Sequence, residues 1–262
     1  ISEGAFVDFS TTGCLQATAG SAVYLCGNVA VEISGSDIYG GTSTYYNAEP
    51  AIDVTNSFSG TLEVSDSTVV GGGSVPGTPS YGYGKPAIYI NQSTKCAGVQ
   101  VSDSTLKGGD GGTSWNGNGV EINKDVPFEI KNTTVAAGDG ASSSGDAAAI
   151  AFKNWEDFTN TTLENVTLDA GDNAKNSVIK NAGSSDIKLK GTLTVEGGKA
   201  LENANFDVAE EDAKDVKLVG SVDKTTVKVD GYILSESTTA DDTLVIEKAL
   251  VAIGDKNYAT LK

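Results

Sequence analysis

A repeat with one position restricted to Gly, Asn or Asp constrains this chain more than any other feature. Five segments align: Val31-Glu-Ile33-Ser-Gly-Ser-Asp-Ile38, Leu62-Glu-Val64-Ser-Asp-Ser-Thr-Val69, Val99-Gln-Val101-Ser-Asp-Ser-Thr-Leu106, Phe128-Glu-Ile130-Lys-Asn-Thr-Thr-Val135 and Thr161-Thr-Leu163-Glu-Asn-Val-Thr-Leu168. Two shorter echoes follow, Ile187–Leu193 and Val216–Val222. Two residues after the anchors Ile33, Val64, Val101, Ile130, Leu163, Leu189 and Leu218 stand Gly35, Asp66, Asp103, Asn132, Asn165, Gly191 and Gly220. These residue types adopt the left-handed backbone at least cost. The restriction predicts a tight bend with positive φ between two strands.

Successive anchors lie 31, 37, 29, 33, 26 and 29 residues apart, so one part of each repeat varies in length. Within the constant part, apolar and polar residues alternate as in short, half-buried strands. A second apolar pair recurs between the anchors, as in Ala51-Ile-Asp-Val54, Ala87-Ile-Tyr-Ile90 and Gly119-Val-Glu-Ile122. Helical spacing is largely missing, and the Gly, Asn and Asp content disfavours helix. Three short strands and one tight bend describe one coil of an all-β solenoid. A β-sandwich would instead join antiparallel strands by two-residue turns. Coils stack at ~4.8 Å, so seven of them make a rod section about 34 Å long.

The pattern resembles the right-handed parallel β-helix of the pectin-lyase-like superfamily, which includes many bacterial surface adhesins. An Asx ladder marks the tight turn in that family, and Asp66, Asp103, Asn132 and Asn165 match it. The likeness covers roughly residues 15–230 and speaks for architecture more than for function. Residues 1–230 are expected to form the helix, with about 7–8 coils and an N-terminal cap near 1–20. Residues 231–262 are expected to form a C-terminal β cap or a joint to a further domain. Strands are expected at Tyr232–Ser235, Thr243–Ile253 and Tyr258–Leu261, with a hairpin turn at Gly254–Asn257. Solenoid ends need such covers because they expose unpaired strand edges.

Composition removes much chemistry. The 262 residues carry 35 Asp and Glu against 18 cations, all of them Lys, for a net charge of −17. There is no His, no Arg and no Met. A Ser–His–Asp triad, an imidazole metal site and a guanidinium fork are therefore excluded. The charge repels nucleic acid and anionic lipid. No stretch approaches the ~18 apolar residues of a membrane span. The N-terminus reads as that of a mature or excised chain rather than a signal peptide. Cys14 and Cys26 are close enough in sequence to pair, or are buried small side chains; Cys96 has no assigned role. The Gly/Ser/Thr/Asn-rich, acidic composition suits the outside of a cell.

The variable segments 40–50, 71–86, 108–119, 137–148 and 171–176 are expected on one side of the rod. They carry Tyr45, Tyr46, Asn47, Tyr81, Tyr83, Trp115, Asn116 and Asn118. Rings beside amides suit a sugar, the ring covering the apolar face and the amides bonding hydroxyls. The competing reading packs these rings under their own loops. Asp110, Asp139 and Asp172 fall four residues past Leu106, Val135 and Leu168, so stacking brings their carboxylates together. Either Ca²⁺ relieves their repulsion or each caps its own turn. As a glycosidase, the pairs to test are Asp139 with Asp110 or Asp146; lyases of the resembled superfamily typically use an Arg or Lys base with Ca²⁺, and without Arg or His those motifs are absent in their usual form. Sequons at Asn91, Asn132, Asn160 and Asn165 are what chance yields in so Ser/Thr-rich a chain. The reading is a non-catalytic surface adhesin holding out loops to a glycan or host-surface ligand. The alternatives are a self-associating subunit of a surface layer or filament, and a polysaccharide lyase or hydrolase.

Overall fold

The computed structural model describes residues 6–9, 14–16, 20–42, 48–73, 83–111, 115–139, 147–153, 157–183, 185–209, 211–212, 215–223, 225–229, 232–236, 242–243, 246–253 and 256–261, without side chains before 20, at 222–223 and from 229 on. All regular structure among these is β-strand. The strands stack in parallel columns, as the repeat predicts. The first column runs Phe6–Phe9, Ala30–Ser34, Thr61–Ser65, Gly98–Ser102, Phe128–Lys131 and on into Thr161–Asp169, Asp186–Glu196, Asn205–Val208 and Thr226–Val229. The second runs Cys14–Gln16, Asp37–Tyr39, Thr68–Val70, Thr105–Lys107 and Thr134–Ala136, then through the distal halves of Thr161–Asp169 and Asp186–Glu196 to Lys217–Val219. The third runs Val23–Gly27, Ile52–Phe58, Ile88–Ile90, Val120–Ile122, Ala148–Phe152 and Ser177–Lys180. Thr161–Asp169 and Asp186–Glu196 each span the first two columns unbroken, so three separate strands per coil are not kept there.

Register places the apolar anchors in one buried file. Ile33, Val64, Val101, Ile130, Leu163 and Leu189 lie on successive rungs and are essentially inaccessible. Phe58, Phe128, Phe152, Phe158 and Phe206 are the largest fully buried side chains of the same core among the described residues. Each buried side chain of this size adds roughly 1.5–3 kcal/mol.

The restricted position has positive φ at all seven sites: 56° at Gly35, 48° at Asp66, 49° at Asp103, 47° at Asn132, 54° at Asn165, 59° at Gly191 and 124° at Gly220. Six of the seven bends stand in one file between the first two columns. The side chains link across rungs, Asn132 Nδ2 donating to Asp103 Oδ1 at 3.1 Å and Asn165 Nδ2 to Asn132 Oδ1 at 3.3 Å. Gly191 completes the file because it has no side chain: a Cβ there would fall 2.2 Å from Asn165 Oδ1.

Gly220 and Leu218 are the exceptions. Leu218 pairs with Leu193 in the second column, not with Leu189 in the first. The first-column strand of that coil is Asn205–Val208, and Gly220 follows the second-column strand Lys217–Val219. Alternation followed by Gly looks alike in either column, so this echo belongs one strand later than its sequence suggests.

Beside the bends runs a buried hydroxyl file. The backbone N–H groups of Ser36, Ser67 and Ser104 donate to the hydroxyl on the next rung, Ser67, Ser104 and Thr133 respectively, at 3.1, 3.0 and 3.3 Å. Each hydroxyl donates to the carbonyl two residues before it, as Ser67 Oγ does to Ser65 at 2.6 Å.

Towards the C-terminus the pairing turns antiparallel. Tyr232–Glu236 lies against Thr226–Val229, and Asp242–Thr243 against Ser221–Asp223. Ile246–Ile253 and Lys256–Leu261 pair antiparallel, with Ile253 opposite Lys256. Cys26 and Cys96 are free thiols, and the side chain of Cys14 lies outside the described residues. Cys96 is buried and its Sγ donates to the carbonyls of Gly60 and Gly98.

Candidate functional site

The variable segments join the second column to the third, and their bases stack through glycine. Lys85 N–H donates to Gly72 O, Gly109 N–H to Lys85 O and Gly138 N–H to Gly117 O. A Cβ on Gly109 would fall 1.9 Å from Gly72 O, so nothing larger allows this approach. The close stack brings successive loops to the same side of the rod.

There the structure gathers Tyr83, Trp115, Asn116 and Asn118 around one pocket of about 220 Å³. Trp115 is 44% exposed, unusual for so large an apolar side chain. Tyr45, Tyr46, Asn47 and Tyr81 lie outside the described residues, as does Asp146.

The two asparagines serve the fold first. Asn116 is buried, and its Oδ1 accepts the Gly111 N–H at 2.8 Å, closing the loop that carries Trp115. Asn118 Oδ1 accepts the Ala148 N–H of the next coil at 2.9 Å, and its Nδ2 donates to Glu121 Oε2 at 3.0 Å. Both amides thus tie the walls of the pocket to the backbone and to Glu121.

Lys85, Glu121 and Lys180 also line the pocket and were not anticipated. Glu121 accepts from Asn118, from Asn123 Nδ2 at 3.2 Å, and pairs with Lys153 Nζ at 3.6 Å. It stands in an outward file on the third column: Tyr24, Asp53, Tyr89 and Glu121 occupy successive rungs. The residue between each recurring apolar pair carried that signal. Tyr24 is 63% exposed. Burial, reinforced by Glu49, pushes the Asp53 carboxyl up. Burial likewise raises the Tyr89 phenol, helped by Glu121 and Asp53 and opposed by a hydrogen bond from Asn123.

The aspartates stack as expected. Asp110 Oδ1 accepts the Asp139 N–H at 2.7 Å, and Asp139 Oδ1 accepts the Asp172 N–H at 3.0 Å. Lys107 Nζ sits 3.1 Å from Asp139 Oδ2 and 3.6 Å from Asp110 Oδ1. Burial alone would lower the Lys107 ammonium, but the two carboxylates outweigh it and hold it raised. Repulsion between these rungs is thus relieved by an ammonium and by backbone N–H groups. Among the described residues no set of three or more His, Cys, Asp or Glu has the arrangement of a metal site.

A larger cleft of about 430 Å³ crosses the outward face of the first column, over Gly98 and Pro127 between Glu63, Gln100 and Glu129. It has no outward aromatic ring to cover a sugar face, so the smaller pocket is the better candidate. Comparison with protein families, curated proteins and solved structures found no match for this chain.

Proposed function

We propose that the chain is an extracellular, adhesin-like surface protein of the right-handed, pectin-lyase-like kind, and that its loop side binds a glycan without transforming it. The observation that carries this reading is the convergence of Tyr83 and exposed Trp115 on one pocket with a polar wall. An indole face against a pyranose, framed by fixed polar groups, is the usual construction of a sugar site. The parallel rod is a scaffold that needs only contacts between neighbouring coils. Residues 231–262 serve as its cap. The non-catalytic reading is supported by the hold on Glu121, the one carboxylate among the described lining residues, which two amides and an ammonium engage.

The test is a glycan array probed with the wild-type chain, Trp115→Ala and Tyr83→Ala. Binding to a defined set of glycans, reduced at least about tenfold by either variant, is the expected result. Wild-type binding that neither substitution changes would refute the site; release of reducing sugar from a polysaccharide would refute the non-catalytic role.

A further inference from the structure

We infer that Tyr24, Asp53 and Tyr89 form a binding site apart from that pocket, one for an organic ammonium group. The three residues occupy successive rungs on the outward face of the third column. Side chains on a strand stand roughly perpendicular to the sheet, so the two tyrosine rings flank the shorter carboxylate, one on each side. An ammonium seated over Asp53 would lie one rung, ~4.8 Å, from either ring. That is inside the ~6 Å over which a cation is drawn to an aromatic face. Tyr24 is exposed, and Asp53 and Tyr89 are half-buried, so the slot is open to a ligand from the outward face.

The carboxylate is the stronger observation. Asp53 Oδ1 is buried and has no hydrogen-bond partner. Burial, and then the like charge of Glu49, raise the Asp53 carboxyl. A partly desolvated charge left without a partner is costly to the fold, and a bound cation offsets that cost. The rings decide which cation. Ca²⁺ takes ~6–8 oxygen ligands, and a carboxylate between two phenol rings falls short of that number. Ring faces suit a carbon-bearing ammonium instead. A choline-type headgroup and a lysine side chain share this chemistry.

Titration calorimetry tests the site with choline, tetramethylammonium and Nα-acetyl-lysine amide, each as its chloride and each against sodium chloride at matched ionic strength. At least one of the three should bind saturably, at least about tenfold more tightly than sodium. Asp53→Asn should weaken that binding at least about tenfold, and Tyr24→Ala should weaken it as well. Asp53→Asn removes the uncompensated charge and should melt no lower than the unmodified chain at pH 7, so its loss of binding is separated from unfolding. Tyr24 is exposed, which makes Tyr24→Ala a second variant that folding does not depend on. Preference for choline or tetramethylammonium assigns the site to a methylated amine, and preference for the acetyl-lysine amide assigns it to a protein lysine; either supports the site. No saturable binding by any of the three, or binding that Asp53→Asn leaves unchanged, would overturn it. Neither result touches the sugar reading, which the array decides through Trp115 and Tyr83.

Discussion

Asn132 shows how one side chain is tied to the architecture. Its φ of 47° is cheap for Asn and strained for a β-branched residue, and its amide bridges to Asp103 below. Asn132→Val should destabilise the protein by about 2 kcal/mol in urea unfolding. Asn132→Gly keeps the bend and should cost less than about 1 kcal/mol; equal losses in both would mean that φ is not what the position selects. Asp53 offers a test by pH. Its carboxyl titrates above its ordinary value of 3.8, so the folded state holds the proton more tightly than the unfolded chain. The buried charge therefore lowers stability as pH rises through the folded pKa, and the penalty is absent below 3.8. Asp53→Asn should raise the melting temperature at pH 7, with a gain that fades on acidification towards 3.8. A gain that grew on acidification would contradict the assigned direction.

Strand columns decide which of these residues act together. The hydroxyl file joins four coils through backbone N–H groups that each donate to the hydroxyl of the next rung. Ser67→Ala removes the acceptor for the buried Ser36 N–H and the donor to Ser65 O, and should cost about 1–3 kcal/mol in chemical unfolding. A loss near zero would mean that water replaces the hydroxyl. This file is visible in the aligned repeats once the bend is known, since Ser36, Ser67, Ser104 and Thr133 follow it directly. The bend itself was legible because backbone sterics admit few residue types there. Gly220 misled because strand alternation before a glycine has the same appearance in any column. Lys85, Glu121 and Lys180 were not legible as a group: outward positions accept almost any polar residue, so only the stacking of coils reveals which ones meet. Tyr83 and Trp115 were found because large rings are uncommon in exposed loops.

Along the rod, parallel stacking converts sequence separations of about one repeat into a single rung. That conversion is what assembles the pocket, with Tyr83 and Lys85 from one loop, Trp115 and Asn118 from the next, and Lys180 from a strand two coils beyond Glu121. The glycine bases of the variable loops carry the packing between coils, so the stack holds across loops of different length. If winding failed, the binding face would disperse with it. The most direct test is pulsed electron–electron resonance between spin labels at outward positions of the second column, in a variant with the three cysteines replaced by alanine. Asp37 lies three, four and five rungs from Thr134, Thr167 and Thr194. Backbone separations should therefore grow evenly, at about 14, 19 and 24 Å, at one rung of ~4.8 Å each. Distances that fail to increase in that order would contradict parallel winding and remove the basis for the site.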